Sequence, residues 1–330
     1  MNSPQQIQER RRDELLRRQL GPQLLAAIAD PTITDIIINE DGCVWFEAHG
    51  KGLFAAGFSL PESQRESLIG SVAAALGTVA DADHPIVEGE LTIERIRFEG
   101  LMPPVVRRAC VAMRKPAHVL YTLDDYVRDR IITESQAEIF RGAIDRRENI
   151  VIGGGTGSGK TTLGGALINE MIARSDPNER YVIIEDTLEI QCRAKNLVQL
   201  HTAEAADMTR LVRTTMRLRP DRIIIGEVRG AEALALLKAW NTGHPGGVTT
   251  IHANSARAAL TRLSSLVQEA GVPPQPELIA ETINLLVFIV RTPAGRRVKE
   301  LVRVDGHSAT DGFILTSLTA QSSKDSGNRT

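Results

Sequence analysis

The chain has 330 residues, of which 42% are hydrophobic and 24% are charged, and its formal net charge at pH 7 is −2. This length allows two domains with sizeable cores, and the near-neutral charge gives no general argument for nucleic-acid binding. The three cysteines, Cys43, Cys110 and Cys192, are odd in number and far apart. This spacing argues against a disulfide framework or a zinc site and indicates a reducing compartment.

Neither a membrane span nor a signal peptide is predicted. No apolar run reaches the roughly 18 residues that a spanning helix needs. The N-terminus is polar and charged, unlike a secretory leader. We therefore expect a cytoplasmic protein.

Residues 1–29 have the pattern of an amphipathic helix. A cluster of charged residues runs from Glu9 to Arg18, and the apolar positions are Leu15, Leu16, Leu20, Leu24, Leu25 and Ile28. Two interpretations stay open. The helix either presents a basic surface to anionic lipid or to a partner, or it is an ordinary helix with a solvated face and an apolar stripe.

The segment from Thr32 to Arg114 predicts a small α+β module. Strand-like runs lie at 35–38, 44–47, 95–98 and 109–113, and a helix is predicted over 63–76. Asp41-Gly42 indicates a hairpin turn between the first two strands. We assign residues 1–114 to an N-terminal α+β domain with a leading amphipathic helix.

Residues 115–132 show little periodicity and are predicted to be a linker. A helix then begins at Thr133, where Gln136 completes a capping-box pattern. Strands alternate with helices from there on, which predicts an α/β domain over 133–305 with a mostly parallel sheet. The predicted strands are 149–152, 181–184, 197–200, 222–225, 248–252 and a final hairpin of 287–291 and 298–304. The Ser/Thr/Gly-rich residues 306–330 are predicted to be a flexible tail.

A phosphate-binding loop is the most specific motif of the chain. The pattern G-x-x-x-x-G-K-[ST] is matched by Gly154, Gly155, Thr156, Gly157, Ser158, Gly159, Lys160 and Thr161. A strand precedes it and a helix starting at Thr162 follows it, as in nucleotide-binding P-loops. Backbone N–H groups and the helix N-terminus would hold a polyphosphate. Lys160 would reach the β- and γ-phosphates, and Thr161 would ligate Mg²⁺.

Acidic residues follow two of the predicted strands. Ligands of an open α/β sheet bind beyond the carboxyl ends of its strands. Glu185, Asp186 and Glu189 are expected there around Mg²⁺ or an attacking water. Glu227 ends an apolar strand, as in a Walker B motif, and would polarise the water or hold a Mg²⁺-bound water. Glu185, Asp186 and Glu227 therefore join Thr161 as predicted metal residues.

Two histidines accompany the strand at 248–252. His252 ends this strand and is predicted to sense a γ-phosphate. His244 lies on the preceding glycine-rich turn and is predicted to contribute to nucleotide binding. The chain also has many arginines, and the residues alone do not single out one that would stabilise transition-state charge.

These motifs occur in an order that resembles the traffic ATPases of type II and type IV secretion. The resemblance rests on residues 154–161, 184–189, 218–229 and 242–254, which look like that family's Walker A, Asp, Walker B and His boxes. Residues 97–104 and 113–116 look like parts of its N-terminal domain. The similarity covers about residues 20–305. Within the family, this short chain without a long N-terminal extension looks most like the conjugal-transfer members.

The resemblance implies a PAS-like N-terminal domain, a RecA-like P-loop ATPase domain and a homohexameric ring. It implies ATP and Mg²⁺ bound between the domains, with Glu185 or Glu189 as the general base and His252 near the γ-phosphate. Arg97 and Arg114 are the expected arginines that complete the site. The expected partners are inner-membrane secretion or conjugation proteins, with a peripheral contact to an anionic membrane.

Three other functions stay open. A pilus assembly or retraction ATPase would share all of these motifs. A RecA-like nucleic-acid motor would need a basic channel or stacking aromatic residues, and only 4% of the residues are aromatic. We therefore expect no sequence-specific nucleic-acid binding. A small-molecule kinase would leave the acidic and histidine motifs unexplained.

Overall fold

The structure is a computed structural model that describes residues 4–48, 51–91, 93–116, 120–203 and 205–319, with side chains from residue 13 onward. The chain divides into two compact units, Met1–His118 and Val119–Thr330. None of the described helices has both the length and the apolar character that crossing a membrane requires.

In its described residues, the first unit consists of two helices packed on one antiparallel sheet. The first helix, α1, is interrupted at Gly21, and the second helix, α2, follows β3. The elements are α1 (Pro4–Ala29), β1 (Ile33–Ile38), β2 (Cys43–Ala48), β3 (Gly52–Ser59), α2 (Glu62–Leu76), β4 (Ile86–Glu90), β5 (Arg97–Leu101) and β6 (Cys110–Arg114). The sheet has six strands in the order β3-β2-β1-β6-β5-β4. Its neighbouring strands are all antiparallel.

Both helices of the first unit cover the same core. Leu16, Leu20, Leu24 and Ile28 of α1 recur at helical spacing and pack with Leu68 of α2 and with the strands. Leu15 of the predicted apolar stripe is 46% exposed. Gly21, at φ 72° and ψ 172°, interrupts α1, and Pro22 begins its second part. Proline suits a first helical position because no intrahelical bond needs its missing N–H.

The second unit holds the predicted alternation of strands and helices. Its elements are α3 (Leu123–Arg128), α4 (Glu134–Asp145), β7 (Ile150–Gly154), α5 (Lys160–Arg174), β8 (Arg180–Glu185), β9 (Asn196–His201), α6 (Met208–Thr215), β10 (Arg222–Ile225), α7 (Glu232–Asn241), β11 (Val248–His252), α8 (Ala256–Gln268), α9 (Pro276–Thr282), β12 (Leu285–Thr292), β13 (Gly295–Ser308) and β14 (Gly312–Ser317).

One eight-stranded sheet organises this unit, in the order β14-β13-β12-β7-β11-β10-β8-β9. The neighbours from β12 to β9 are parallel, whereas β12, β13 and β14 pair antiparallel. The strands β7, β8, β10 and β11 are almost entirely buried, as expected where helices cover both faces of a parallel sheet. One core holds side chains of α3, α4 and α5, and another holds side chains of α6, α7, α8 and α9.

The structure differs from the predicted linker and tail. The stretch 115–132 contains α3, whose Thr122 forms a capping box with Asp125 and whose Leu123 and Tyr126 are buried. A helix this short shows too little periodicity to be recognised in the sequence. The predicted tail from residue 306 begins inside β13 and includes β14, which continues the sheet to Ser317. Residues 320–330 of the predicted tail lie outside the described residues.

Candidate active site

The phosphate-binding loop, residues 154–161, connects β7 to α5. Three of its four glycines are required by space or by backbone conformation. A Cβ on Gly154 would lie 2.5 Å from Ser158 Oγ and 2.6 Å from the carbonyl oxygen of Ile289. Gly157 and Gly159 have φ angles of 69° and 97°, in the left-handed region that favours glycine. Since Gly159 occupies the N-cap of α5, no side chain caps this helix, and its N-terminus can bind an anion.

Lys160 is held within this loop. It is 8% exposed, and its Nζ donates to the carbonyl oxygen of Gly155 at 3.1 Å. The same Nζ lies 3.5 Å from Nδ1 of His252. Burial lowers the pKa of Lys160, and the nearby carboxylate of Glu227 partly offsets that effect. A poorly solvated ammonium in this position is an electrostatic partner suited to phosphate oxygens.

Glu227 and His252 meet beside Lys160. The Oε2 atom of Glu227 accepts from Arg229 Nε at 2.8 Å and from Arg229 Nη2 at 2.6 Å. Its Oε1 lies 3.2 Å from His252 Nε2, outside hydrogen-bond geometry. This buried Oε1 has no hydrogen-bond partner among the described residues. It therefore keeps the capacity to accept from a water molecule or to approach a cation.

The acids after β8 have separate roles in the structure. Glu185 is 3% exposed, and its Oε1 accepts from the backbone N–H groups of Glu189 and Ile190, both at 3.0 Å. It therefore organises the loop that carries Glu189. Asp186 lies near Glu227 and Arg229, and its Oδ2 is 3.3 Å from Arg229 Nη1.

The sheet register explains why these residues meet. His252 of β11 stands opposite Gly154 of β7, and Ile225 of β10 stands opposite Ile184 of β8. Parallel strands in register end at one edge, so the residues that follow them lie together. Lys160, Glu227 and His252, with the loop after β8, are therefore assembled by strand pairing.

His244, which the sequence predicts to contribute to nucleotide binding, is not brought to this edge of the sheet. It precedes β11, and its Nδ1 lies 2.8 Å from the carbonyl oxygen of Pro220, which precedes β10. The first and last residues of β11 are about 13 Å apart, because four steps of about 3.3 Å separate them. His244 thus stabilises the turn before the strand, whereas His252 lies at the phosphate-binding loop.

Arg97 and Arg114 lie in the first unit. They are cross-strand partners on β5 and β6, and Arg114 Nε lies 3.9 Å from Asp35 Oδ1. The structure thus places the two guanidinium groups on one face of that sheet.

Two residues of the cluster had no specific role in the sequence-based prediction. Arg229 follows Glu227 by two positions, which places both side chains on the same side of an extended segment. That spacing is a usable signal. Gly226 has no such signal: a Cβ there would lie 2.9 Å from Cγ of Glu185, so glycine leaves room for the buried side chain of Glu185.

The donor atoms near the loop fit Mg²⁺ bound together with a nucleotide. The described residues contain no group of three or more His, Cys, Asp or Glu that would hold a metal by itself. Mg²⁺ in nucleotide sites is usually held by one or two protein oxygens, by phosphates and by water. Thr161 in the first turn of α5 and the buried Oε1 of Glu227 supply such oxygens.

Comparison with known proteins gives a consistent family. A sequence model described as "Type II/IV secretion system protein" matches residues 88–327. The chain is 52% identical over 292 residues to the conjugal transfer protein TrbB of Rhizobium radiobacter, covering 88% of this chain and 90% of that protein. It is 31% identical to the type IV secretion system protein PtlH of Bordetella pertussis, over 83% of this chain and 91% of that protein.

A solved structure shares the fold. The crystal structure of the ATPase DotB of Legionella pneumophila superposes with a TM-score of 0.62 at 23% identity. The superposition covers 84% of this chain and 78% of DotB.

Proposed function

Because this chain belongs to the family of type II/IV secretion system proteins, we propose that it is an ATPase that powers type IV secretion or conjugative transfer. It hydrolyses ATP to ADP and phosphate. The observation that carries the proposal is the meeting of Lys160, Glu227 and His252 beside the phosphate-binding loop. Three different elements supply these side chains, so their convergence is a property of the fold.

Nucleotide binding follows from the loop. The first turn of α5 and the backbone of residues 154–161 surround the β-phosphate, and Lys160 bridges to the γ-phosphate. Thr162, the next residue of α5, also belongs to the nucleotide-binding residues. The ammonium group of Lys160 is poorly solvated. Negative phosphate oxygens next to it stabilise its charge.

Hydrolysis is an in-line displacement. The oxygen of a water molecule forms a bond to the γ-phosphorus while the bond from that phosphorus to the bridging oxygen of ADP breaks. Glu227 Oε1 orients the water, and the water's proton passes to a carboxylate or to the phosphate product. Glu189, whose position is fixed by Glu185, is the alternative base. His252, between Lys160 and Glu227, links the γ-phosphate to the carboxylate that orients the water.

Mg²⁺ would be held by Thr161 and, directly or through water, by Glu227, with Asp186 nearby. When bound, the ion neutralises charge on the phosphate oxygens.

The larger architecture is part of the same proposal. The first unit is a PAS-like domain and the second a RecA-like ATPase domain, with their boundary between His118 and Val119. Six copies form a ring, and Arg97 and Arg114 supply transition-state charge to a nucleotide site. The protein works at the cytoplasmic side of the inner membrane with secretion or conjugation proteins. The family membership and the relation to TrbB support this assignment.

The test combines assembly and activity. Size-exclusion chromatography with light scattering, with and without Mg²⁺-ATP, should give a species of about six times the 36.0 kDa subunit. Phosphate release in that fraction should disappear in Lys160→Ala and persist in Lys238→Ala, a control on the exposed side of α7. Glu227→Gln should bind ATP but hydrolyse it about 10²–10⁴-fold more slowly. An active monomer that never assembles would refute the ring.

A further inference from the structure

The hairpin of β12 and β13 extends past the end of β7. Ile289 of β12 stands opposite Gly154, the last residue of β7, so Arg291 lies beyond that edge. Arg296 of β13 is the cross-strand partner of Arg291 and shares its side of the hairpin. Val298, two residues further on, packs in the core that includes α5. Arg296 is therefore on the face of the sheet that carries the phosphate-loop helix.

Arg296 contacts the phosphate-binding loop at Gly159. A Cβ built on Gly159 would lie 2.8 Å from Cδ and 3.1 Å from Nε of Arg296. A side chain at this position would displace the flexible end of Arg296, and Gly159 also has the positive φ that favours glycine. The arginine stem thus lies against the residue that precedes Lys160, next to the uncapped N-terminus of α5.

The guanidinium group of Arg296 has no ion pair and no hydrogen bond to any residue that the structure describes. Many other arginines of this unit, such as Arg141, Arg174 and Arg222, are paired with carboxylates. An arginine that is half-buried against a phosphate-binding loop and lacks a carboxylate partner retains its donors for an anion.

The position of the hairpin in the sheet decides which part of a nucleotide it can reach. Glu227 and His252 follow β10 and β11, on one side of β7, whereas β12 lies on the other side. The groups suited to a γ-phosphate are therefore on the β11 side. Arg296 approaches the loop from the opposite side, where the remainder of the nucleotide must extend.

We infer that Arg296 is a nucleotide-binding residue that contacts the α- and β-phosphates from the hairpin side of the loop. The inference rests on the proposed nucleotide-hydrolysing function. It predicts that Arg296 contributes equally to the affinities for ATP and ADP, because both carry these two phosphates. It also assigns the β12–β13 hairpin to the nucleotide site.

The experiment is calorimetric titration of the full chain with Mg²⁺-ADP and with a non-hydrolysable ATP analogue. Arg296→Gln should weaken both ligands by about ten- to hundredfold, as expected for a lost charge-assisted contact. The ratio of the two affinities should not change. Arg296→Lys keeps the charge without the planar fork and should show an intermediate loss. In steady-state hydrolysis, Arg296→Gln should raise KM with a nearly unchanged kcat.

Arg297→Gln is the matched control. Arg297 is the cross-strand partner of Val290, faces the other side of the hairpin and is exposed. The Arg297→Gln protein should therefore bind both ligands with the affinity of the wild type. Equal ADP affinity in wild type, Arg296→Gln and Arg296→Lys would overturn the inference and leave the proposed function intact. Loss of affinity for the ATP analogue alone would also overturn it. A wild-type protein that binds neither ligand would refute the proposed function and the inference together.

Discussion

The buried ammonium of Lys160 should destabilise the nucleotide-free protein. Burial lowers its pKa below the ordinary value of 10.5, so the folded state binds this proton less tightly than the unfolded state does. The cost is fully present at neutral pH, and stability rises as the pH increases through the window between the folded pKa and 10.5. Lys160→Met should therefore increase the free energy of unfolding at pH 7 by about 0.5–2 kcal/mol while abolishing nucleotide binding.

Urea unfolding of nucleotide-free protein between pH 7 and pH 10 measures this effect. The difference between Lys160→Met and wild type should shrink as the pH approaches the upper end of the range. Lys238→Met, at an exposed position on α7, is the control and should change stability little at any of these pH values. A Lys160→Met protein that is less stable than wild type at pH 7 would contradict the argument.

At the scale of elements, Asn149 connects the strand of the phosphate-binding loop to two neighbouring segments. Its Oδ1 accepts from the backbone N–H groups of Gly246 at 2.8 Å and Gly247 at 3.1 Å, and its Nδ2 donates to the carbonyl oxygen of Thr282 at 2.8 Å. Asn149→Ala leaves these buried groups without partners. We expect a loss of about 2–4 kcal/mol in the free energy of unfolding.

Chemical denaturation of the full chain measures the free energy of unfolding of Asn149→Ala. Asn241→Ala, at the exposed end of α7, is the control and should change this free energy by less than about 0.5 kcal/mol. Asn149 also holds the start of β7 against the turn before β11. Asn149→Ala should reduce nucleotide affinity as well, because the pairing of β7 with β11 places His252 opposite Gly154. Equal stability of Asn149→Ala and wild type would refute the role.

The elements predicted from the sequence are those with local signals. The capping box of α4 is confirmed, with Thr133 accepting from the backbone of Gln136. The hairpin at Asp41-Gly42 is also confirmed, because Gly42 has the φ of 86° that its turn requires. In contrast, β3 was not predicted: its sequence GLFAAGFS is rich in small residues and has no strong alternation. Its pairing with β2 is a tertiary effect.

The site shows the same division. The residues at the carboxyl ends of strands were predictable, because the parallel direction of β7, β8, β10 and β11 follows from the alternation of strands and helices, whereas the order of these strands is known only from the structure. The position of His244 was not predictable in the same way, because a glycine-rich turn resembles a ligand loop in sequence and only the strand direction shows which edge of the sheet it occupies. The approach of Arg296 to Gly159 depends on an antiparallel hairpin packed beside β7, which no local pattern reveals.

The end of the chain provides a prediction about the second sheet. Phe313 and Leu315 of β14 pack against the core that includes Val302 and Val304 of β13. Relative to a reference chain that ends at residue 319, a chain that ends at residue 311 should lose about 2–3 kcal/mol in the free energy of unfolding, because partly buried side chains and a strand pairing are removed. Urea denaturation of both truncated chains measures the difference, and equal stabilities would show that β14 contributes nothing.

At the scale of the whole molecule, binding and hydrolysis should separate between the two units. The second unit has its own cores and contains the entire phosphate-binding loop, whereas Arg97 and Arg114 belong to the first unit. Residues 119–319 alone should therefore bind Mg²⁺-ADP with an affinity within a few-fold of the full chain. ATP hydrolysis by this fragment should fall by about 10³-fold or more, the scale of a missing arginine finger.

Two variants of the full chain distinguish a missing arginine from a damaged fragment. Arg97→Gln and Arg114→Gln should each reduce phosphate release while leaving ADP affinity unchanged, because neither residue belongs to the phosphate-binding loop. Arg107→Gln, in the exposed turn between β5 and β6, should leave both quantities unchanged. If residues 119–319 hydrolyse ATP as fast as the full chain, transition-state charge must come from within the second unit. Arg229, already bound to Glu227, would then be the first residue to consider.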